Sequence, residues 1–376
     1  MSKLFKYALF IMAPLFSTQV CQAGAAKSIR YIETHIHLHG DAGFSLNSAA
    51  KAAFKSMDKL GIARLLILPP PFHPDHQAKY NYKPLKDICE KYPDKLAFIG
   101  GGGELNPLIQ NAVLAGKVTK SLREKFIRKA REIAKAGAVG YGEMAAEHFS
   151  FNAQHPYITA QPDHELFLLL ADIGAEYNLP IDLHMEPVPH DNFPFPHDKW
   201  TRRSNKNPKF LKDNITRLER LLAHNRKANI IWVHIGWNHT GAMTPDLLRR
   251  LLGKHPNLYM SLKDHSHSQN QDRALDASGS LRSEWKKLIA EFPDKFMFGS
   301  DMFYMSSNAS RRFPDSTNGS RAILNQLPLD LARKVAYENA AKLFKLNVDP
   351  ASMQGDTEYQ PGEPDEPKGK GRGRTR

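Results

Sequence analysis

The sequence predicts a parallel α/β fold closed into a (β/α)8 TIM barrel, on three observations. Eight short apolar runs alternate with segments of helical periodicity, which is the pattern of a parallel sheet with crossover helices. Several of the runs are continuously apolar, as strands buried on both faces must be. His, Glu and Asp residues close these runs, at the strand ends where a barrel carries its chemistry. A chain of 376 residues with 41% hydrophobic composition can bury one large core without staples.

In order, the strands are expected at Ile29–His37, Ala63–Leu68, Lys95–Ile99, Ala138–Glu143, Pro180–Met185, Asn229–His234, Asn257–Leu262 and Lys295–Gly299. Helical periodicity covers Ser48–Leu60, Tyr82–Tyr92, Ser121–Ala136, Asp163–Tyr177, Asn207–His224, Thr244–Leu252, Leu281–Glu291 and Leu329–Phe344. Ser121 and Thr244-Pro245-Asp246 supply helix-start signals. Three longer connections, Pro69 to Tyr82, Ala145 to Pro162 and Pro187 to Pro208, each follow a strand end and should roof the C-terminal rim. Gly100 to Gly103 is followed by no Gly-Lys-Ser/Thr, so it is read as a flexible turn rather than a phosphate loop.

The termini read differently. Residues 1–25 have the form of a signal peptide, with Lys3 and Lys6, an apolar core Tyr7 to Phe16, and small residues Ala23-Gly24-Ala25. That core is about half the ~20 residues needed to span a bilayer, and Thr18-Gln19-Val20 before Cys21 does not suit lipidation. The mature chain is therefore expected to be exported, periplasmic or secreted, as one barrel over residues 26–350. Removal of Cys21 would leave Cys89 alone, so no intrachain disulfide is expected. Cys89, among Leu85, Ile88 and Tyr92, reads as a buried thiol. Residues 351–376 are rich in Gly, Pro and charge, with acids Glu363, Asp365 and Glu366 before Lys368 to Arg374, and read as a disordered charged tail.

The net charge of +13 is spread over helical segments such as Lys120 to Lys135 and interspersed with acids. That is the pattern of solvated helix faces, so a small-molecule substrate is expected and nucleic acid is not. A homo-oligomer is left open.

Strand alternation puts His35 and His37 on one face, where two neutral imidazoles can serve one metal ion. His39 shares that parity, so His37 with His39 is a competing register. Glu33 within the strand favours His35 with His37. An H-x-H is weak alone, and a single His184 or His234 can be a satisfied core histidine and Glu143 a helix-capping acid. As a set with Asp301, all fall at successive strand ends. Further rim candidates are Glu186, Trp237, Asn238, His239, Lys263, His265 and Tyr304, with Lys263 and His265 suited to a substrate carboxylate. Each reads equally well as an ordinary polar loop residue.

The chain resembles the amidohydrolase superfamily, in its amidohydrolase-2 branch, over about Ile29 to Leu346. The resemblance rests on Glu33-Thr-His-Ile-His37, Gly140-Tyr-Gly-Glu143, Asp182-Leu-His184, Trp232-Val-His-Ile-Gly236, Phe298-Gly-Ser-Asp301 and Glu338-Asn-Ala-Ala-Lys-Leu-Phe344. It implies that His35, His37 and Asp301 hold a first divalent metal, most simply zinc. His184 and His234 would hold a second, with Glu143 bridging. Superfamily members with two metals often bridge with a carboxylated lysine; a glutamate at this place is similar to TatD-type nucleases. Many members of the branch hold one metal, in which case His234 acts on the substrate. The implied activity is an exported metal-dependent hydrolase that cleaves an amide, ester, lactone or phosphoester with metal-activated water. Asp301 would move the proton and His234 would polarise the substrate. The alternatives are a non-oxidative decarboxylase of the same branch, a TatD-like nuclease, and a barrel that binds metal or ligand without catalysis.

Overall fold

Apolar strands buried on both faces can satisfy their backbone groups only by pairing with one another, and in this chain they do so in parallel. A computed structural model describes residues 26–39, 46–77, 79–153, 155–264, 273–306 and 317–362. Its strands are β1 (Tyr31–His39), β2 (Ile62–Ile67), β3 (Leu96–Phe98), β4 (Gly100–Gly101), β5 (Tyr141–His148), β6 (Ile158–Thr159) and β7 (Ile181–Met185). They continue with β8 (Phe193–Pro194), β9 (Phe210–Leu211), β10 (Ile230–Ile235), β11 (Leu258–Leu262), β12 (Phe296–Phe298) and β13 (Met302–Met305). The main path runs β3-β2-β1-β12-β11-β10-β7-β5-β4, and every pairing along it is parallel.

The two ends of that path are halves of one segment separated only by Ile99. Leu96 to Phe98 pair with β2, whereas Gly100 and Gly101 pair with β5. Ile99 N donates to Ile67 O at 2.9 Å, and Gly100 N donates to Gly140 O at 3.1 Å. One continuous strand thus turns from its first neighbour to its second, and the sheet returns on itself as a barrel. Gly100 and Gly101 are buried ladder residues, a correction to the flexible turn expected there. The last barrel strand is also divided: β12 pairs with β1 at Phe298, and β13 resumes beside β1 from Met302. Asp301 lies in the break.

Outside the barrel, the helix Lys120–Lys135 buries Phe126, Ala130 and Ile133 and leaves its charges outward, with Thr119 capping its first turn. Trp232, Trp285, Phe296 and Phe298 are among the largest fully buried side chains of the one main core. Cys89 is buried and unpaired with another cysteine.

Two helices lie outside the segments expected, and one expected helix is shortened. Leu105–Ala115 is helical and buries most of its circumference, so no apolar stripe distinguishes it in sequence. Thr317–Leu324 is helical despite its Gly and polar residues, because Arg321 and Ser320 are fixed by distant partners. The helix expected from Asn207 begins at Ile215, and Phe210–Leu211 instead pairs with Phe193–Pro194 in the connection after β7.

The chain from residue 350 also departs from expectation, because its first residues dock rather than trail as a disordered tail. Gln354 bridges Ile29, Gly355 N donates to Ser28 O at 2.7 Å, and Tyr359 N donates to Lys27 O at 2.9 Å. The Arg321 guanidinium lies 5.0 Å from the Tyr31 ring and 5.1 Å from the Tyr359 ring, and donates to Leu60 O and Ile29 O at 2.9 Å each. A single aromatic with a buried cationic partner docks a segment whose composition reads as unfolded. Residues 1–25 and 363–376 lie outside the described residues. Among the described residues, no helix is long and apolar enough to cross a membrane.

Gly61 tests this docking. Its φ is +66°, and a Cβ there would stand 2.5 Å from the Tyr359 ring. Gly61→Ala should cost about 1–2 kcal/mol from the left-handed backbone alone, plus the clash. In a Tyr359→Ala background the clash disappears, so denaturant unfolding should give a smaller cost for the same substitution. Equal costs would show that the ring does not press on Gly61.

Candidate metal centre

The inward face of β1 carries His35 and His37, both fully buried, while His39 is exposed at the strand end. His37 Nδ1 lies 2.9 Å from Leu68 O, a carbonyl that can only accept, so Nδ1 carries a proton and Nε2 is the nitrogen turned to the site. His35 Nδ1 is 3.0 Å from Asp182 Oδ2, which sets the same orientation. His37 Nε2 is 3.1 Å from Asp301 Oδ1, and His35 Nε2 is 3.5 Å from Glu143 Oε2. Yet neither Nε2 has a hydrogen-bond partner. Burial pushes both imidazoles down, but Asp182, Glu143 and Asp301 outweigh it and raise them; buried nitrogens and carboxylate oxygens so placed draw a cation among them, and the donor set fits a divalent metal.

Glu143, on β5, divides its carboxylate between two sides. Oε2 faces His35 and His37, at 3.5 and 3.3 Å. Oε1 takes His184 Nδ1 at 2.8 Å and His234 Nε2 at 3.2 Å. His184 lies near the end of the buried strand β7 and His234 lies on β10. The donor atoms form two sets: His35, His37, Glu143 and Asp301, and Glu143, His184 and His234. All six residues expected from the sequence are brought together, with Glu143 common to both sets.

Two of the six are held in left-handed backbone, His234 at φ +63° and Asp301 at φ +55°. Such geometry costs about 1–3 kcal/mol for a residue with a Cβ and persists only where neighbours over-determine it. Around Asp301 the constraints are visible. Asp301 N donates to His35 O at 3.0 Å, and Ser300 N donates to Glu33 Oε1 at 2.6 Å. Gly299 permits the approach, since a Cβ there would stand 2.9 Å from His35 Cβ. After His234, Trp237 N donates to His234 O at 2.8 Å.

The electrostatics follow from burial and its opposition. Burial pushes the Glu143 carboxyl up, but His35, His184 and His234 outweigh it and hold it well below the usual range. Burial does the same to Asp301, and Lys263, His234 and His37 outweigh it. His234 is pushed down to about 3, chiefly by burial, so its imidazole is neutral. Glu33, buried beneath the site, is pushed up to about 8 by desolvation.

Of the other rim candidates, Lys263 donates to Asp301 Oδ2 at 2.6 Å, Glu186 is buried after β7, and His239 Nδ1 is 2.5 Å from Asp198 Oδ2. Trp237 Nε1 donates to His239 Nε2. Asn238 accepts from Met243 N at 3.1 Å within its own turn, Tyr304 is buried on β13, and His265 lies outside the described residues. Sequence reasoning assigned no role to Asp182, although it shares the inward parity of His184. It also missed His148, whose ring centroid is 4.3 Å from that of His184. His148 falls in an extension of β5 that carries no apolar pattern.

Glu147, in that same extension, is pushed up to about 7 by burial, against hydrogen bonds from Tyr157 and Thr159. Its folded-state pKa exceeds its unfolded value, so folding loses stability as pH rises from 4.5 to about 7 and no more above that. Glu147→Gln lacks this loss. Measured against wild type by denaturant unfolding, the variant should gain on going from pH 5 to pH 7.5; a constant difference would refute the shift.

An amidohydrolase family model, of the amidohydrolase-2 type, matches residues 116–346, more than half of the chain. The match takes in Glu143, His184, His234 and Asp301 and begins after β1. Among solved structures, the chain is similar to a probable 2-pyrone-4,6-dicarboxylic acid hydrolase from Acinetobacter baumannii, at 12% identity over 84% of this chain and 100% of that one, TM-score 0.49. A dihydroxybenzoic acid decarboxylase from a Polaromonas species, with bound manganese and an inhibitor, is similar at 15% identity over 85% and 98%, TM-score 0.46. A dihydroorotase from Campylobacter jejuni is similar at 15% identity over 86% of each chain, TM-score 0.45. No curated protein matches the sequence. The extent of the family match shows that this chain belongs to the amidohydrolase family.

Proposed function

We propose that this chain is a metal-dependent hydrolase of a small-molecule amide, ester, lactone or phosphoester, with Glu143 shared between two divalent cations, zinc being the ion proposed. The observation that carries this is the division of the Glu143 carboxylate, one oxygen toward His35 and His37 and the other toward His184 and His234. When bound, a divalent cation supplies Lewis acidity and acidifies water in its coordination sphere.

The chain's own residues supply the rest. Leu68 O and Asp182 hold His37 and His35 with their Nε2 atoms inward. Asp301, kept ionised, is the proposed acceptor of the proton released by the attacking water. His234, neutral, can ligate or orient substrate without bringing a second positive charge. Export through residues 1–25 is proposed on the sequence alone. N-terminal sequencing of protein from cell-envelope or secreted fractions should find a chain starting near Ala26, and an intact Met1 there would refute it.

Elemental analysis of the metal-replete protein tests the centre. Two ions per chain should fall to one or none in Glu143→Ala, and Asp301→Asn should keep the fold yet lose turnover by a factor on the order of 10² or more. One ion, unchanged by Glu143→Ala, together with carbon dioxide release from aromatic acids, would replace hydrolysis with decarboxylation. Nicking of DNA by the pure protein would point to a nuclease. Full metal occupancy without turnover across a broad substrate panel would leave a binding barrel.

A further inference from the structure

Asp301 turns only one carboxylate oxygen to the histidines, and the other meets an ammonium. Lys263 directly follows β11, anchored by its N–H to Ile235 O at 2.9 Å. Its Nζ donates to Asp301 Oδ2 at 2.6 Å and stands 4.0 Å from the centroid of the Trp237 ring. That ring is tied in place, because Trp237 Nε1 donates to His239 Nε2, and His239 Nδ1 faces Asp198 Oδ2 at 2.5 Å. Asp198 belongs to the connection between β7 and β10, so the indole is fixed from outside the barrel.

An ammonium has three donors. Among the described residues, Asp301 is the one hydrogen-bond acceptor of Lys263, and the Trp237 face is a weaker second partner. Glu186 feels the Lys263 charge but shares no hydrogen bond with it. The side chain is nonetheless buried, and leaving charged donors unmatched in a buried site is costly. The opening of the cluster lies on this side. The side chains of Asp301, His184 and Lys263 are 17%, 10% and 8% exposed, against 4% or less for His35, His37, Glu143 and His234.

We infer that Lys263 is a specificity-determining residue that binds an anionic group, carboxylate or phosphate, carried by the small-molecule substrate beside the reacting centre. The inference rests on the metal-centre reading above. A charge-assisted hydrogen bond from the unmatched donors, in a site of low dielectric, recognises that anion and sets its distance from Asp301. A neutral substrate would leave the same donors unmatched.

The test uses the full, metal-replete chain with benzoate and inorganic phosphate as probes, binding measured by calorimetry and metal content measured in every sample. Wild type should bind at least one probe, and which one identifies the anionic group. Lys263→Met should weaken that binding by about tenfold or more. Lys263→Arg should hold it within about threefold. Lys263→Gln serves the same comparison if Lys263→Met fails to fold. Equal affinity in wild type and Lys263→Met, or no binding of either probe by metal-loaded wild type, overturns the inference. Loss of metal together with anion binding in Lys263→Met would confine Lys263 to holding Asp301, and also overturns it. A wild type without metal refutes the metal centre instead, and anion binding that still depends on Lys263 would then stand alone.

Discussion

The structure is organised around the mutual compensation of charged and polar groups taken out of water at one end of an apolar barrel. Four imidazoles and two carboxylates converge there, and the side chains of His35, His37, His234 and Glu143 are no more than 4% exposed, with His184 at 10%. Isolated, each carboxylate would be driven neutral by desolvation. Glu143 and Asp301 stay ionised because histidines and Lys263 surround them. The cluster therefore stands or falls as a unit, and its donor set fits a divalent cation.

Holding that unit requires a backbone that departs from regular strand geometry at the point of use. The last barrel strand breaks between β12 and β13, and Asp301 occupies the break in left-handed conformation. β1 supplies both halves of its restraint: Glu33 takes the Ser300 amide and His35 O takes the Asp301 amide. One strand thus provides two inward-facing histidines and also positions the acid opposite them. Within the close-packed core, the Phe298 ring meets Tyr31 of that strand at 5.4 Å between centroids.

The connections above the rim extend the same logic outward. The Lys263 ammonium lies between the Asp301 carboxylate and the Trp237 ring, and Trp237 is held through His239 by Asp198. Chemistry-bearing groups just after β11, in the break between β12 and β13, and in the loops after β7 and β10 are thereby linked without any covalent constraint. Family membership identifies the scaffold, and the outer groups are where the proposed substrate would be distinguished.

By itself, the sequence determined the barrel, the strand ends at which His35, His37, Glu143, His184, His234 and Asp301 fall, and the inward parity of the first pair. These features are local: strand period, apolar runs and residue type at a run's end. Only the tertiary structure decided what depends on partners far apart in the chain. It alone showed the turn of Leu96 to Gly101 from β2 to β5, the division of Glu143 between two histidine pairs and the pairing of Asp182 with His35. It also alone showed the Lys263–Asp301 contact and the docking of Tyr359 on Arg321. The Leu105–Ala115 helix and the extension of β5 to His148 belong to the same class, since burial all round and pairing to neighbours leave no periodic trace in composition. Contacts of this kind are set by three-dimensional packing, in which 38 residues of chain separation between Lys263 and Asp301 count for nothing once both strand ends meet at one rim.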